Sequence, residues 1–305
     1  MKPILKSAGA LALACVSQFV LHGVAAEPTF QEKSVSPVTN PLFFEDPYIR
    51  TEIRPIFAYH RIGDDLLNGV GLNGISSGDV RVYALQLRYA VTDRLAIIAT
   101  KDGYTDIHFD NPALAGLSRK GWNDLAAGIK YAFIQDEQKE FILTGGVKLE
   151  LPTGEADVLQ NNGSGEWDVF VASAKNWARV RLMGNAGLRL PNNWAQETVS
   201  AHYSLQVDYY SCKWFIPFLS LNGQTVLSET KNGGPNGLPG LNVEGFDLLN
   251  LGADSAAGHT QIVGGVGFRS RLASHLDFGA AYEKSLTSPQ GLFDDRVTLD
   301  FVIHF

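Results

Sequence analysis

Apolar and polar side chains alternate one for one over stretches of about ten residues along most of this chain, which is the period of a β-strand. Over 80–91, Tyr83, Leu85, Leu87, Tyr89 and Val91 share one face and Ala84, Gln86 and Arg88 the other. The same reading sets Leu125, Ala127, Ile129, Tyr131 and Phe133 against Asp124, Gly128 and Lys130. Over 198–209, Val199, Tyr203, Leu205, Val207 and Tyr209 oppose His202, Ser204, Gln206 and Asp208. Over 295–305, Val297, Leu299, Phe301, Ile303 and Phe305 oppose Thr298, Asp300 and His304. Continued along the chain, the pattern predicts strands near 49–61, 80–91, 95–103, 122–134, 138–152, 166–178, 179–190, 198–210, 213–224, 259–271, 275–285 and 295–305. Pro217 lies inside the ninth, where it costs a ladder bond and is expected to mark a bulge.

Connections between these strands alternate in length. Thr92-Asp93-Arg94, Gln135-Asp136-Glu137, Trp177-Ala178, Ser211-Cys212 and Leu272-Ala273-Ser274 are tight. Segments 62–79, 104–121, 153–165, 191–197, 225–258 and 286–294 are long and rich in Gly, Asn and Pro. Short and long connections around an even strand number predict an all-β fold, a 12-stranded antiparallel transmembrane β-barrel of the outer-membrane type. Aromatic positions agree with that orientation: Tyr89, Tyr131, Phe133, Trp177, Tyr209, Trp214 and Phe305 fall beside short turns, and Tyr104, Trp122, Trp167 and Trp194 beside long loops. Rings at both strand ends are expected at the two lipid–water boundaries. A secreted soluble β-sandwich also alternates, but its outer face is charged and gives no reason for two aromatic belts.

Composition narrows the classes further. The 305 residues are 45% hydrophobic and 19% charged, which excludes a disordered chain. Net charge is −7 and no basic run occurs, so no nucleic-acid partner is expected. Two cysteines exclude a disulfide framework and a four-cysteine zinc site, and the seven histidines have no metal-ligand spacing. No cofactor is implied. Residues 1–26 read as a secretory signal peptide: Lys2 and Lys6, an apolar run, then Val24-Ala25-Ala26. Ala12-Leu13-Ala14-Cys15 resembles a lipoprotein cleavage box, but Leu is displaced from its usual place. With cleavage near Ala26, Cys212 is the one cysteine of the mature chain. The expected organisation is thus a signal peptide (1–26), an irregular amino-terminal arm (27–47) and the barrel (48–305), in a bacterial outer membrane and in contact with its lipid.

Two stretches carry a family resemblance. Trp122-Asn123-Asp124-Leu125-Ala126-Ala127-Gly128-Ile129-Lys130-Tyr131 resembles the G-D-L-x-L-G-x-K-Y strand of the family named for the meta (MetA) pathway of phenol degradation. Gly145-Gly146-Val147-Lys148-Leu149-Glu150-Leu151-Pro152-Thr153-Gly154 resembles that family's G-x-K-x-P-T-G strand end. Asn123 stands where the family has Gly, and Leu149-Glu150-Leu151 lengthens the second motif. The resemblance implies an outer-membrane channel for uptake of aromatic or hydrocarbon compounds, and it supplies no catalytic residue. Phe305, with Ile303, Phe301 and Leu299 stepping back by twos, resembles the signal that outer-membrane barrels present to their assembly machinery.

Arg50, Glu52, Arg54, Arg88, Lys130, Lys148, Glu150, Asp208, Glu283 and Asp300 occupy minor strand faces and are expected to line the lumen, because a midplane charge on the lipid face costs about 2–4 kcal/mol. Such groups either brace the barrel as ion pairs or select small-molecule solutes. Pro28, Pro37, Pro41 and Pro47 forbid a regular element in the arm, and Phe43-Phe44 is unusual for a free tail. The arm either enters the lumen as a plug or lies on the rim. In the loop 225–258, Phe246, Leu248, Leu249 and Leu251 either fold over the mouth as a capture site for apolar solutes or form a surface cluster. His202 and Ser204 have a spacing that suits a hydroxyl and its base, but they fall on the inward face, whereas a lipid hydrolase needs them toward lipid. No enzyme is expected.

Overall fold

In the computed structural model the described residues are 30–63, 74, 76–161, 163–231, 240, 242–287 and 292–305; the expected signal peptide lies outside them. The strands are β1 (Glu52–Ile62), β2 (Gly78–Ala90), β3 in two segments (Leu95–Ala99 and Gly103–Phe109), β4 in two segments (Arg119–Trp122 and Leu125–Asp136), β5 (Phe141–Leu151), β6 (Glu166–Trp177), β7 (Val180–Pro191), β8 (Val199–Tyr209), β9 (Ile216–Ser228), β10 (Thr260–Ala273), β11 (Leu276–Ser285) and β12 (Asp295–His304). Each pairs antiparallel with its neighbours in sequence. β1 also pairs with β12, Glu52 opposite His304 and Arg61 opposite Asp295, so the sheet closes on itself as a 12-stranded barrel. Closure leaves no free edge.

The alternation sorts as the sequence requires. Tyr83, Leu85, Leu87, Tyr89, Leu205, Val207, Val297, Leu299 and Phe301 are exposed on the outer wall, while Gln86, Arg88, Gln206, Asp208, Thr298 and Asp300 are buried inside. Exposed Trp177, Tyr209, Trp214 and Phe305 gather at the tight-turn end, and Trp122, Trp167 and Trp194 at the loop end. Among the described residues no helix is long and apolar enough to cross a membrane.

Three local expectations are corrected. β3 reaches Phe109 rather than stopping at 103. Its upper part escaped the pattern because polarity inverts there: His108 faces out and Ile107 in, as do Arg81 and Val80 beside them. β3 also carries a bulge, since Ala84–Leu87 of β2 spans three steps where Ala99–Gly103 spans four. Pro217 makes no bulge; it sits one residue inside β9, opposite Phe268, with the register unbroken. Val199 is buried, because the register of β8 against β9 shifts between Val199 and Ser200 and turns both inward.

Candidate functional site

The barrel interior is not empty. Residues 33–48 run through it, and Val35, Val38, Phe44, Glu45 and Asp46 are all buried. Proline-rich backbone forms no ladder of its own, so its carbonyls need other donors. Inward side chains supply them. Arg181 donates to the carbonyl of Val35 (2.6 Å), Arg269 to Ser36 (2.8 Å), Arg54 to Pro37 (2.6 Å), Gln86 to Pro41 (2.7 Å), Lys148 to Leu42 (2.9 Å) and Thr144 to Pro47 (2.6 Å). The arm's acids answer the lumen's bases. Glu45 takes Arg88 at 2.6 Å and Lys130 at 2.7 Å, and Asp46 takes Lys130 at 3.3 Å. Phe44 packs with Ala132, Ile142, Ala174 and Met183. The Phe43 ring lies 4.7 Å from the Arg189 guanidinium and 4.8 Å from the His202 ring. Close approach requires small residues on the wall: a Cβ at Gly279 would stand 2.7 Å from Val38 Cγ2.

The ten charged positions read from the sequence all enter ion pairs. Arg50 lies 3.4 Å from Asp46 and 3.6 Å from Glu52. Arg54 pairs with Asp300 at 2.6 Å, and Asp300 also takes Arg269. Arg88 reaches Glu52 at 3.4 Å as well as Glu45. Lys148 pairs with Asp168 (2.8 Å), Glu150 with Lys101, Asp208 with Arg181 (2.8 Å) and Glu283 with Arg296 (2.7 Å). Arg50 and Glu150 are partly exposed and the other eight are buried. Sequence reasoning missed Asp168, Arg181, Arg189, Arg269 and Arg296, which sit on the same minor faces and were legible by the same alternation. It also missed Glu45 and Asp46, because an irregular arm has no period to read.

Both motif stretches meet at the loop end. The Asp124 carboxylate accepts from the backbone N–H of Gly154 (2.8 Å) and Asn161 (3.0 Å). In return the N–H of Leu125 donates to Thr153 Oγ1 at 3.1 Å and that of Asp124 to Gln160 at 3.1 Å. A Cβ at Gly154 would stand 2.7 Å from the Asp124 nitrogen, so a side chain does not fit there. Asp-Leu and Thr-Gly thus lock the loop 152–165 against β4.

That loop walls a cavity of about 430 Å3 under the loop end. Ile62, Val80 and Ile107 form its barrel side, and Val158, Leu249, Leu251 and Leu292 its loop side. The apolar cluster of loop 225–258 therefore folds inward: Val243, Leu249 and Leu251 join Ala58, Val82 and Val226 in one buried cluster. A chamber of about 50 Å3 lies beside it, and Asn123 and Leu248 line both. At the turn end a separate cavity of about 440 Å3 has a mixed lining that includes Arg50, Arg271 and His304 with Phe30 and Ile142. The arm occupies the interior between the two ends.

Two buried loop acids hold the outer end. Glu244 accepts from the N–H groups of Leu251 and Ala253, both at 2.8 Å, while burial pushes its pKa up. Burial, and then the neighbouring Glu166 carboxylate, pushes Glu197 up to about 8. His202 and Ser204 face away from lipid. His202 hydrogen-bonds Asp168 at 2.8 Å, and Ser204 accepts from Asn40 at 3.2 Å.

The geometry decides the architecture. The fold is that of an outer-membrane barrel. Among solved structures it is similar to the COG4313 outer membrane channel from Pseudomonas putida F1, at 16% identity and a TM-score of 0.56, covering 89% of this chain and 100% of that one. It is also similar to the NanC porin (7% identity, 84% of this chain and 98% of that one, TM-score 0.49). The KdgM porin follows, at 9% identity, 83% and 99% coverage and a TM-score of 0.45. No family model and no curated protein matches the sequence.

Proposed function

We propose that this barrel is a channel of the bacterial outer membrane for passive passage of small apolar solutes, hydrocarbon or aromatic, closed at rest by residues 33–48. The observation that carries this reading is the apolar cavity of about 430 Å3 between the inner wall and the loops, within the size range of small-molecule sites. Ile62, Val80 and Ile107 of the wall and Leu249 of the loop give this space an apolar lining. The structural likeness to the COG4313 outer membrane channel supports the same class. Placement in the outer membrane after cleavage near Ala26, with assembly through the Phe305 strand, follows from the sequence pattern.

A second reading, a non-conducting structural barrel, draws on the same filled interior and its ion pairs. Single-channel recording of the refolded mature protein separates them, repeated after deletion of residues 27–44, with aromatic acids and simple hydrocarbons as blockers. The channel reading expects brief openings in the full protein and sustained ones in the deletion. Silence in both forms removes the open pore and leaves a structural barrel, a lipid hydrolase or a lateral, non-aqueous route.

A further inference from the structure

We infer that the loop-end cavity takes an amphipathic monocarboxylate, its apolar body inside and its carboxylate on Arg119. The proposal rests on the reading of the barrel as a channel for apolar solutes, and it specifies the solute's head group. Arg119 opens the upper segment of β4 and pairs with Ile107 of β3. Directly opposed residues on neighbouring strands point to the same face, so Arg119 shares the inner face with Ile107, and both line the cavity of about 430 Å3. Ile107 is buried and Arg119 is exposed. The guanidinium therefore stands at the rim, where the apolar lining gives way to water.

The chemistry of the ligand follows from this juxtaposition. Elsewhere on the inner wall Arg54, Arg88, Arg181, Arg189, Arg269 and Arg296 are each held by a carboxylate. Among the described residues Arg119 enters no ion pair; its Nη1 donates to the carbonyl of Ser118 at 3.0 Å, and the rest of the planar fork faces solvent. A hydrated cation needs no partner for stability; its place on the edge of an apolar space is what points to a ligand. An arginine fork matches a carboxylate with two parallel hydrogen bonds. An apolar body with one anionic end thus fills both the space and the fork. Asp157 lines the cavity from the loop side, and among the described residues no ion pair joins it to Arg119. Its charge disfavours a second carboxylate, which selects a monocarboxylate over a dicarboxylate. Glu155, on the same loop, is engaged with the N–H of Trp122 at 3.3 Å.

Diazirine-bearing decanoate, decanol and decylamine would be photo-crosslinked to the refolded full mature chain in lipid vesicles, at a pH that keeps the acid ionised, with adducts mapped by mass spectrometry. Label on peptides containing Ile107 and Leu249 would be divided by label at lipid-facing Leu85 and Leu205, which cancels unequal partitioning into the membrane. Ion pairs of exposed groups are weak, so decanoate is expected to exceed decanol by about fivefold. Arg119→Gln should bring decanoate down to the level of decanol, and high salt should do so most of the way, with decanol itself unchanged. Asp157→Asn should raise decanoate labelling by about twofold, a change of opposite sign that loss of folding does not produce. Equal labelling by decanoate and decanol in the native protein overturns the carboxylate site and leaves an apolar one. An excess of decylamine over both assigns the polar end to Asp157 and overturns it equally. Label confined to the lipid-facing positions overturns the apolar-solute reading itself. If Arg119→Gln does not fold, judged by heat-dependent gel mobility, the salt dependence and Asp157→Asn decide.

Discussion

Replacing Glu45 with alanine should release the arm. Its carboxylate makes the shortest contacts of two buried cations, Arg88 at 2.6 Å and Lys130 at 2.7 Å. Removing one partner of a buried pair costs about 3–5 kcal/mol, because the other charge is left uncompensated out of water. Glu52 stays 3.4 Å from Arg88 and Asp46 3.3 Å from Lys130, so the lower end of that range applies. The penalty acts only while the arm is docked; once it leaves, both cations are hydrated. About 3 kcal/mol then shifts the ratio of docked to released arm by roughly a hundredfold. Planar-bilayer recordings read that ratio as open against closed dwell time, and Glu45→Ala should raise it by about two orders of magnitude. The Glu45→Ala/Arg88→Ala pair should recover part of the closed time, since it removes an orphaned cation along with its acid. A folded Glu45→Ala protein whose dwell ratio stays within about twofold of the native one would refute the argument that these charges hold the arm.

Glu197 gives a pH dependence with a definite sign. Its pKa in the folded protein is raised to about 8, so the native state holds this proton more tightly than the unfolded chain. Its contribution to stability is full below the ordinary glutamate pKa and is lost as pH rises toward 8. Urea unfolding between pH 5 and 9 should therefore show falling stability, and Glu197→Gln should flatten the slope. Gly154→Ala forces a Cβ to within 2.7 Å of the Asp124 nitrogen, which breaks the lock on loop 152–165. Faster proteolysis of that loop is expected, with a loss of about 1–3 kcal/mol as the Asp124 contacts open; unchanged cleavage would count against the lock. Leu205→Arg puts a charge on the outer wall midway along β8 and should cost about 2–4 kcal/mol in vesicles, whereas Gln206→Arg on the inner face should not show the lipid-depth penalty.

The strands were legible because lipid and lumen impose opposite demands on successive residues. Leu205 and Gln206, or Phe301 and Asp300, can stand only one way round. The same logic shows why the upper part of β3 was missed. Above the lipid the outer wall meets water and the inner wall meets loops, so Ile107 points in and His108 out. A reader who treats that inversion as a signal recovers both the strand extension and the apolar cavity. The arm was opaque for a different reason. Its order comes from partners scattered over nearly the whole barrel, such as Arg181 for Val35 and Thr144 for Pro47, and no local period encodes contacts at that separation. Phe43-Phe44 was the one visible trace. The two motifs were recognisable as strings, but their joint meaning, a carboxylate capping a glycine turn, emerges only where the two strand ends meet in space.

The seam between the first and last strands bears on how the barrel assembles. Arg54 on β1 and Arg269 on β10 both turn to Asp300, which arrives only with β12. Until that strand is in place, two guanidinium groups face the forming interior without their acid. A slip of β12 by one residue would rotate Asp300 toward lipid and bring Leu299 or Phe301 against the cations. Correct closure is thus the arrangement that gives both arginines their shared acid. The arm's carbonyls at Ser36 and Pro37 are taken by these same arginines, so closure and docking draw on one set of donors. The seam charges therefore tie the register of the last strand to the seating of the arm.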